Sequence, residues 1–119
     1  MYINMKRLLP LLLILFAYSS GFSQSKGSPE EKAKYLTETI LKSDLKLADA
    51  QILKVYEANL DMFRKISKEE ASGGSIRQIR TFMLERNEEL QKVLTAPQYE
   101  KFETNFRDYQ EKMEEKFGS

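Results

Sequence analysis

Apolar residues recur along the chain at the three- and four-residue spacing of amphipathic helices. Four such stretches can be separated: 28–42, 49–70, 76–94 and a last one from Thr95 to the end of the chain. No stretch shows the polar–apolar alternation of a strand. The pattern therefore predicts an all-α fold, a small bundle of about four helices built on a long antiparallel helical hairpin.

Each predicted helix has an apolar face that we expect to point into the core. Arg86 falls inside the third of these faces, where it must snorkel or meet a carboxylate or carbonyl oxygen, because an unpaired buried charge is costly. The aromatic residues of the fourth helix give the strongest periodic signal in the chain. The predicted inward residues are Ala33, Leu36 and Ile40; Ile52, Val55, Tyr56, Met62, Phe63 and Ile66; Ile76, Ile79, Phe82, Met83, Leu90, Val93 and Leu94; and Tyr99, Phe102, Phe106, Tyr109, Met113 and Phe117.

Local signals mark the ends of these helices. Ser28 with Glu31, and Thr95 with Gln98, have the spacing of capping boxes, and a proline lies in the first turn after each capping residue. The stretch 72–75, Ser-Gly-Gly-Ser, interrupts the pattern, since paired glycines favour turn geometry. This stretch predicts the tip of the hairpin.

The first residues have the order of a secretory signal. Lys6 and Arg7 precede an apolar run over 8–18, and small residues at Gly21 and Ser23 follow it. The run is too short to span a membrane, which takes about 20 apolar residues. We therefore expect a periplasmic or otherwise exported protein. No cysteine follows the run, so it does not read as a lipoprotein.

Three regions are predicted from this pattern: a cleaved signal peptide (1–23), a flexible leader (24–27) and one helical domain (28–119). Without Lys6 and Arg7, the chain has 17 basic and 18 acidic residues, which gives a net charge of −1. A strong general attraction to nucleic acid is not expected at this charge. The domain has no cysteine for a disulfide, so helix packing must stabilise it, and a homodimer would enlarge its small core.

The composition argues against most enzyme classes. The chain has no histidine and no cysteine, which removes the usual zinc ligand sets, the serine and cysteine triads and histidine acid–base chemistry. Its paired carboxylates are adjacent in sequence, so on a helix they point about 100° apart. We expect no catalytic site, no cofactor and no metal.

Two groups of residues fall outside the predicted core. Leu53 and Leu60 lie on the shoulder of the second apolar face, either as extra core or as an exposed surface for a second copy or a partner. Arg77, Arg80 and Leu84 share a separate face of the third helix, which is either simply solvated or a binding surface.

One short motif carries a resemblance to a known family. The run 94–98, Leu-Thr-Ala-Pro-Gln, looks like the LTxxQ motif of the Spy/CpxP family of periplasmic stress proteins, and the run 47–51, Leu-Ala-Asp-Ala-Gln, resembles a first copy. The resemblance spans about 47–113. Ala48 stands where the family has threonine and cannot accept the capping hydrogen bond, so Asp49 or Asp44 is expected to cap the second helix instead.

The resemblance implies a four-helix fold, often a curved dimer, whose concave surface binds unfolded proteins without ATP. On this basis we expect a holdase chaperone for unfolded or partly folded envelope proteins. The alternative is a non-chaperone protein that docks on the outer domain of an envelope-stress sensor. The metal-binding branch of the family uses histidine and cysteine ligands, which this chain lacks. The residues expected to bind clients or a partner are Leu53, Leu60, Arg77, Arg80 and Leu84, and those expected to act as structural motif or cap residues are Leu47, Gln51, Leu94, Thr95 and Gln98.

Overall fold

The computed structural model describes residues 26–118, and helices make up 84% of that part. The predicted signal peptide and residues 24–25 of the predicted leader lie outside it. Within it, five helices and no strand occur, which confirms the all-α prediction. We number them α1 (29–44), α2 (Asp49–Ala71), α3 (Ile76–Val93), α4 (Ala96–Thr104) and α5 (Phe106–Phe117).

Helix α1 contains a π-helical segment that the periodicity of the sequence did not predict. It is α-helical over Pro29–Lys34 and Lys42–Asp44, but Tyr35–Leu41 between them is π-helical. The helix begins at the predicted capping box, where Ser28 Oγ accepts from the Glu31 amide at 3.1 Å and Glu31 Oε1 accepts from the Ser28 amide at 2.8 Å. The π segment adds Thr37 and Leu41 to the buried face, beside the expected Leu36 and Ile40.

The turns after α1 and α2 are built alike. After α2, the Gly74 amide donates to the Glu69 carbonyl at 2.8 Å and the Gly73 amide to the Glu70 carbonyl at 3.1 Å. After α1, the Leu47 amide donates to the Lys42 carbonyl at 3.0 Å and the Lys46 amide to the Ser43 carbonyl at 3.4 Å. This pattern of paired bonds closes a helix on a residue with left-handed backbone geometry. Gly73 (φ 71°) has that position in one turn and Lys46 (φ 53°) has it in the other.

Helices α2 and α3 form the predicted hairpin, and α1 packs along α2. The core between the helices contains the leucines of both five-residue motifs and two aromatic residues from α4 and α5. Its buried members are Leu36, Ile40, Leu41, Leu45, Leu47, Val55, Leu90, Leu94, Phe102 and Tyr109.

One sequence expectation about burial and one about the continuity of a helix were wrong. Ile76 was placed in the core but is 75% exposed, because it begins α3 directly after the hairpin tip, and all residues of 70–78 are exposed there. The fourth helix was expected to be continuous but is interrupted at Asn105, whose ψ of 10° departs from the helical value of about −42°.

The chain divides into two compact units. The larger contains residues 27–115, and with them the core and the sites described below. Of the smaller unit, residue 26 and residues 116–118 are described. Within it, the Lys26 amide donates to the Phe117 carbonyl at 2.8 Å.

Candidate functional site

The leucines predicted to bind clients lie on solvent-accessible surface. Leu53 on α2 is 62% exposed and Leu84 on α3 is 58% exposed, whereas Leu60 is half-buried. Exposed aliphatic side chains of this size are the usual material of protein–protein contacts when they cluster.

The arginines of the candidate surface are exposed and unneutralised. Within the described residues, no carboxylate lies within ion-pair distance of Arg77 or Arg80. Both lie in the first two turns of α3, where the helix dipole is positive and the first turn has no acidic residue. The start of α3 therefore presents a basic surface beside exposed Leu84.

The five candidate residues form two groups rather than one patch. Lys65 marks the side of α2 that faces α3, since its Nζ lies 3.4 Å from Glu85 Oε1. At 100° per residue, Leu53 and Leu60 lie about 120° and 140° around α2 from Lys65. By the same count, Arg80 and Leu84 are about 140° and 100° from Glu85. Leu53 and Leu60 on α2, and Arg80 and Leu84 on α3, are thus turned away from the other helix of the hairpin, whereas Arg77 lies about 80° from Glu85.

The two five-residue motifs meet through their glutamines. Gln51 Nε2 donates to Gln98 Oε1 at 2.7 Å, and Gln98 Nε2 donates to Gln51 Oε1 at 3.1 Å. Gln51 Nε2 also donates to the Val93 carbonyl at 3.2 Å, and Gln98 Nε2 to the Leu45 carbonyl at 3.1 Å. The reciprocal amide pair therefore ties the start of α2 to the start of α4. The further bonds are crossed: the start of α2 is tied to the end of α3, and the start of α4 to the residue that follows α1.

The amide oxygens of the same glutamines also cap their own helices. Gln51 Oε1 accepts from the Ala48 amide, and Gln98 Oε1 accepts from the Thr95 amide, both at 2.9 Å. The capping box at Thr95 is complete, because Thr95 Oγ1 also accepts from the Gln98 amide at 3.3 Å. Ala48 has the N-cap position of α2 without a side-chain hydrogen bond, so neither Asp49 nor Asp44 replaces it as cap.

Asp44 instead joins α1 to the last two helices. Its Oδ2 accepts from the Tyr109 hydroxyl at 2.5 Å and from Asn105 Nδ2 at 3.0 Å, and its Oδ1 lies 3.7 Å from Lys101 Nζ. The Tyr109 hydrogen bond holds the pKa of Asp44 below its ordinary value, with smaller contributions from Asn105 and Lys101. Burial and the neighbouring carboxylate raise the pKa of Tyr109.

Arg86 lies in the core, as its position in the apolar face predicted, and is only 4% exposed. Its Nη1 donates to Asn59 Oδ1 at 3.0 Å and its Nε to Asn87 Oδ1 at 2.7 Å, while the guanidinium stacks over the Phe102 and Phe106 rings. Burial lowers the pKa of Arg86 to about 10, so the side chain stays charged at neutral pH. Carbonyl oxygens and aromatic faces thus solvate it in place of a carboxylate.

Two residues of this polar core, Asn59 and Thr37, were not predicted from the sequence. Asn59 is fully buried and donates from Nδ2 to Thr37 Oγ1 at 2.9 Å, which links α1 to the arginine. Asn59 falls on the same side of α2 as Val55 and Met62, so a polar residue inside an apolar face was the one available clue.

Among residues 26–118, no helix is long and apolar enough to cross a membrane, and no three acidic, histidine or cysteine side chains are grouped as metal ligands would be.

Comparison with known proteins finds one family whose sequence model matches the chain. The model of a family described as Domain of unknown function (DUF4890) matches residues 21–102, more than half of the 119-residue chain. The match includes both five-residue motifs. No curated protein and no solved structure matches the chain.

Proposed function

The chain belongs to the DUF4890 family, and from that premise we propose that it is an exported, ATP-independent holdase of the Spy/CpxP type. The clients would be unfolded or partly folded proteins of the envelope. Support for the Spy/CpxP likeness comes from the two motifs, whose glutamines form one joint at the starts of α2 and α4.

The observation that carries the proposal is the exposure of Leu53 and Leu84 together with the unneutralised arginines of α3. An unfolded client offers apolar segments flanked by charges. Burying such segments against exposed leucines gains about 25 cal/mol per Å² of apolar surface, and a binding site of this kind needs no nucleotide. Contacts with a few side chains stay weak, which suits many different clients.

The proposal predicts that the protein suppresses aggregation. The purified protein is mixed with a chemically unfolded client, without nucleotide, and light scattering is followed at increasing ratios of protein to client. We expect dose-dependent protection near stoichiometric ratios. The variants Leu53→Ser, Leu84→Ser and Arg77→Ser/Arg80→Ser should each reduce that protection, because each removes part of the client contact while leaving the core intact.

Arg107→Ser is the matched control, since Arg107 is an exposed arginine of α5 outside both groups. Circular dichroism establishes that every variant keeps its helices. The proposal is wrong if the folded wild-type protein gives no protection, or if all of the surface variants protect as well as Arg107→Ser. A pull-down that yields one stoichiometric partner would favour docking on a sensor protein instead.

A further inference from the structure

Two exposed stripes on the hairpin have the same layout and opposite charge. We define the α2 stripe as Leu53, Glu57 and Leu60, and the α3 stripe as Ile76, Arg80 and Leu84. At 100° per residue, the members of the α2 stripe fall within about 60° of the helix circumference and those of the α3 stripe within about 80°. Each stripe is therefore one charged residue flanked by two aliphatic ones.

Apart from the half-buried Leu60, both stripes lie uncovered in the single chain. Ile76, Leu53 and Leu84 are the three large apolar residues with the most exposed side chains among those described, at 75%, 62% and 58%. All three belong to a stripe. Glu57 and Arg80 are exposed as well, and neither forms an ion pair within residues 26–118.

We propose that a second copy of this chain covers them: the α2 stripe of one copy packs on the α3 stripe of another, with Glu57 opposite Arg80. Rows of residues four apart or three apart form ridges that pack into the grooves of a neighbouring helix. The α3 stripe is a row of residues four apart, and the α2 stripe combines one step of four residues with one of three. The pairing buries aliphatic side chains on both sides and neutralises both charges, with Arg77 adding positive charge beside Arg80.

Pairing of like stripes is disfavoured by the same charges. An α3 stripe centred on its own copy across a two-fold axis sets Arg80 against Arg80, and an α2 stripe sets Glu57 against Glu57. Like charges in contact across an interface oppose association. The contact therefore joins unlike stripes. Either it forms twice, reciprocally about a two-fold axis, and closes a dimer, or each copy uses its two stripes on different neighbours and the assembly forms a ring or a filament.

Self-association would regulate the surface assigned above to clients, because Leu53, Leu60, Arg80 and Leu84 serve both contacts. This consequence, unlike the contact itself, rests on the proposed holdase function. Clients and second copies would compete, so protection per chain should fall as the protein concentration rises.

The contact is tested by measuring the mass of the purified protein with sedimentation equilibrium over a range of concentrations, without any client. We expect reversible association. Glu57→Arg and Arg80→Glu should each raise the dissociation constant about tenfold or more, since each sets like charges together. The double variant Glu57→Arg/Arg80→Glu restores opposite charges and should associate almost as the wild type does.

Arg107→Glu is the control, because it changes the net charge by the same amount as Arg80→Glu at an exposed site on α5. It should leave the association unchanged, and circular dichroism checks that all variants fold. Three outcomes overturn the proposal: a monomer at every soluble concentration, an assembly that neither charge reversal weakens, or a double variant that associates no better than the single ones. Since no client is present, these outcomes leave the holdase test standing on its own.

Discussion

At the scale of single residues, the two left-handed backbone positions differ in cost. Gly73 turns the chain out of α2 without strain, because glycine has no Cβ. Lys46 adopts almost the same geometry after α1, where an L side chain costs about 1–2 kcal/mol. Lys46 is exposed, so its side chain gives little back through packing.

Replacing Lys46 by glycine should therefore stabilise the protein. We expect Lys46→Gly to raise the free energy of unfolding by about 0.5–1 kcal/mol, the relief of strain less the extra freedom of glycine in the unfolded chain. Urea unfolding measures the change. Lys46→Ala is the control: it keeps the strain, so an equal gain there would mean that the lysine side chain is responsible rather than the backbone.

The cap of α2 offers a second residue-scale prediction. Ala48 (φ −74°, ψ 156°) has nearly the backbone geometry of Thr95 (φ −69°, ψ 163°) but no oxygen to accept from the first turn. Ala48→Thr should add that acceptor and raise the free energy of unfolding by up to about 1 kcal/mol. Thermal unfolding of Ala48→Val, which has the same shape without the hydroxyl, tests the reason; equal stabilisation by valine would rule out capping.

At the scale of elements, α1 is fixed at its end by the hydrogen bonds to Asp44. The carboxylate lies at the C-terminal end of a helix, where the dipole disfavours negative charge. Tyr109, Asn105 and Lys101 offset that cost from the last two helices. The interruption at Asn105 belongs to the same arrangement, since the residue that leaves the helix is the one whose amide reaches Asp44.

This junction predicts an acid-sensitive stability. The pKa of Asp44 is lower in the folded protein than in the unfolded chain, so its contribution is complete above pH ~4 and is lost as the pH falls through the lower folded value. Tyr109→Phe removes the main cause of that shift. We expect it to cost about 1–2 kcal/mol at neutral pH and to flatten the pH dependence of unfolding below pH ~4.

Tyr99→Phe is the matched control for this experiment, because Tyr99 lies in the same two-helix segment but away from Asp44. It should change neither the stability at neutral pH nor the acid slope by a comparable amount. If Tyr109→Phe has no larger effect in the wild type than in an Asp44→Asn background, the two side chains are not coupled.

At the scale of the whole molecule, the sequence predicted those structural features that depend on residues close to one another in the chain. Capping boxes at Ser28 and Thr95, the glycine turn at 73–74 and the apolar faces all arise within a few residues, and the structure has them. The motif joint could not be read this way, because Gln51 and Gln98 are far apart in sequence. The π-helical segment of α1 and the exposure of Ile76 also depend on what the neighbouring elements provide, which periodicity does not report.

The local and the long-range hydrogen bonds of each motif glutamine are expected to form at different stages of folding. The oxygen of Gln51 or Gln98 caps its own helix three residues away, so that bond can form as soon as the helix nucleates. The nitrogens bond only to groups more than forty residues distant, and those bonds must wait until the intervening loop has closed. We therefore expect each glutamine side chain to act twice during folding: it first caps its own helix and later holds the starts of α2 and α4 together.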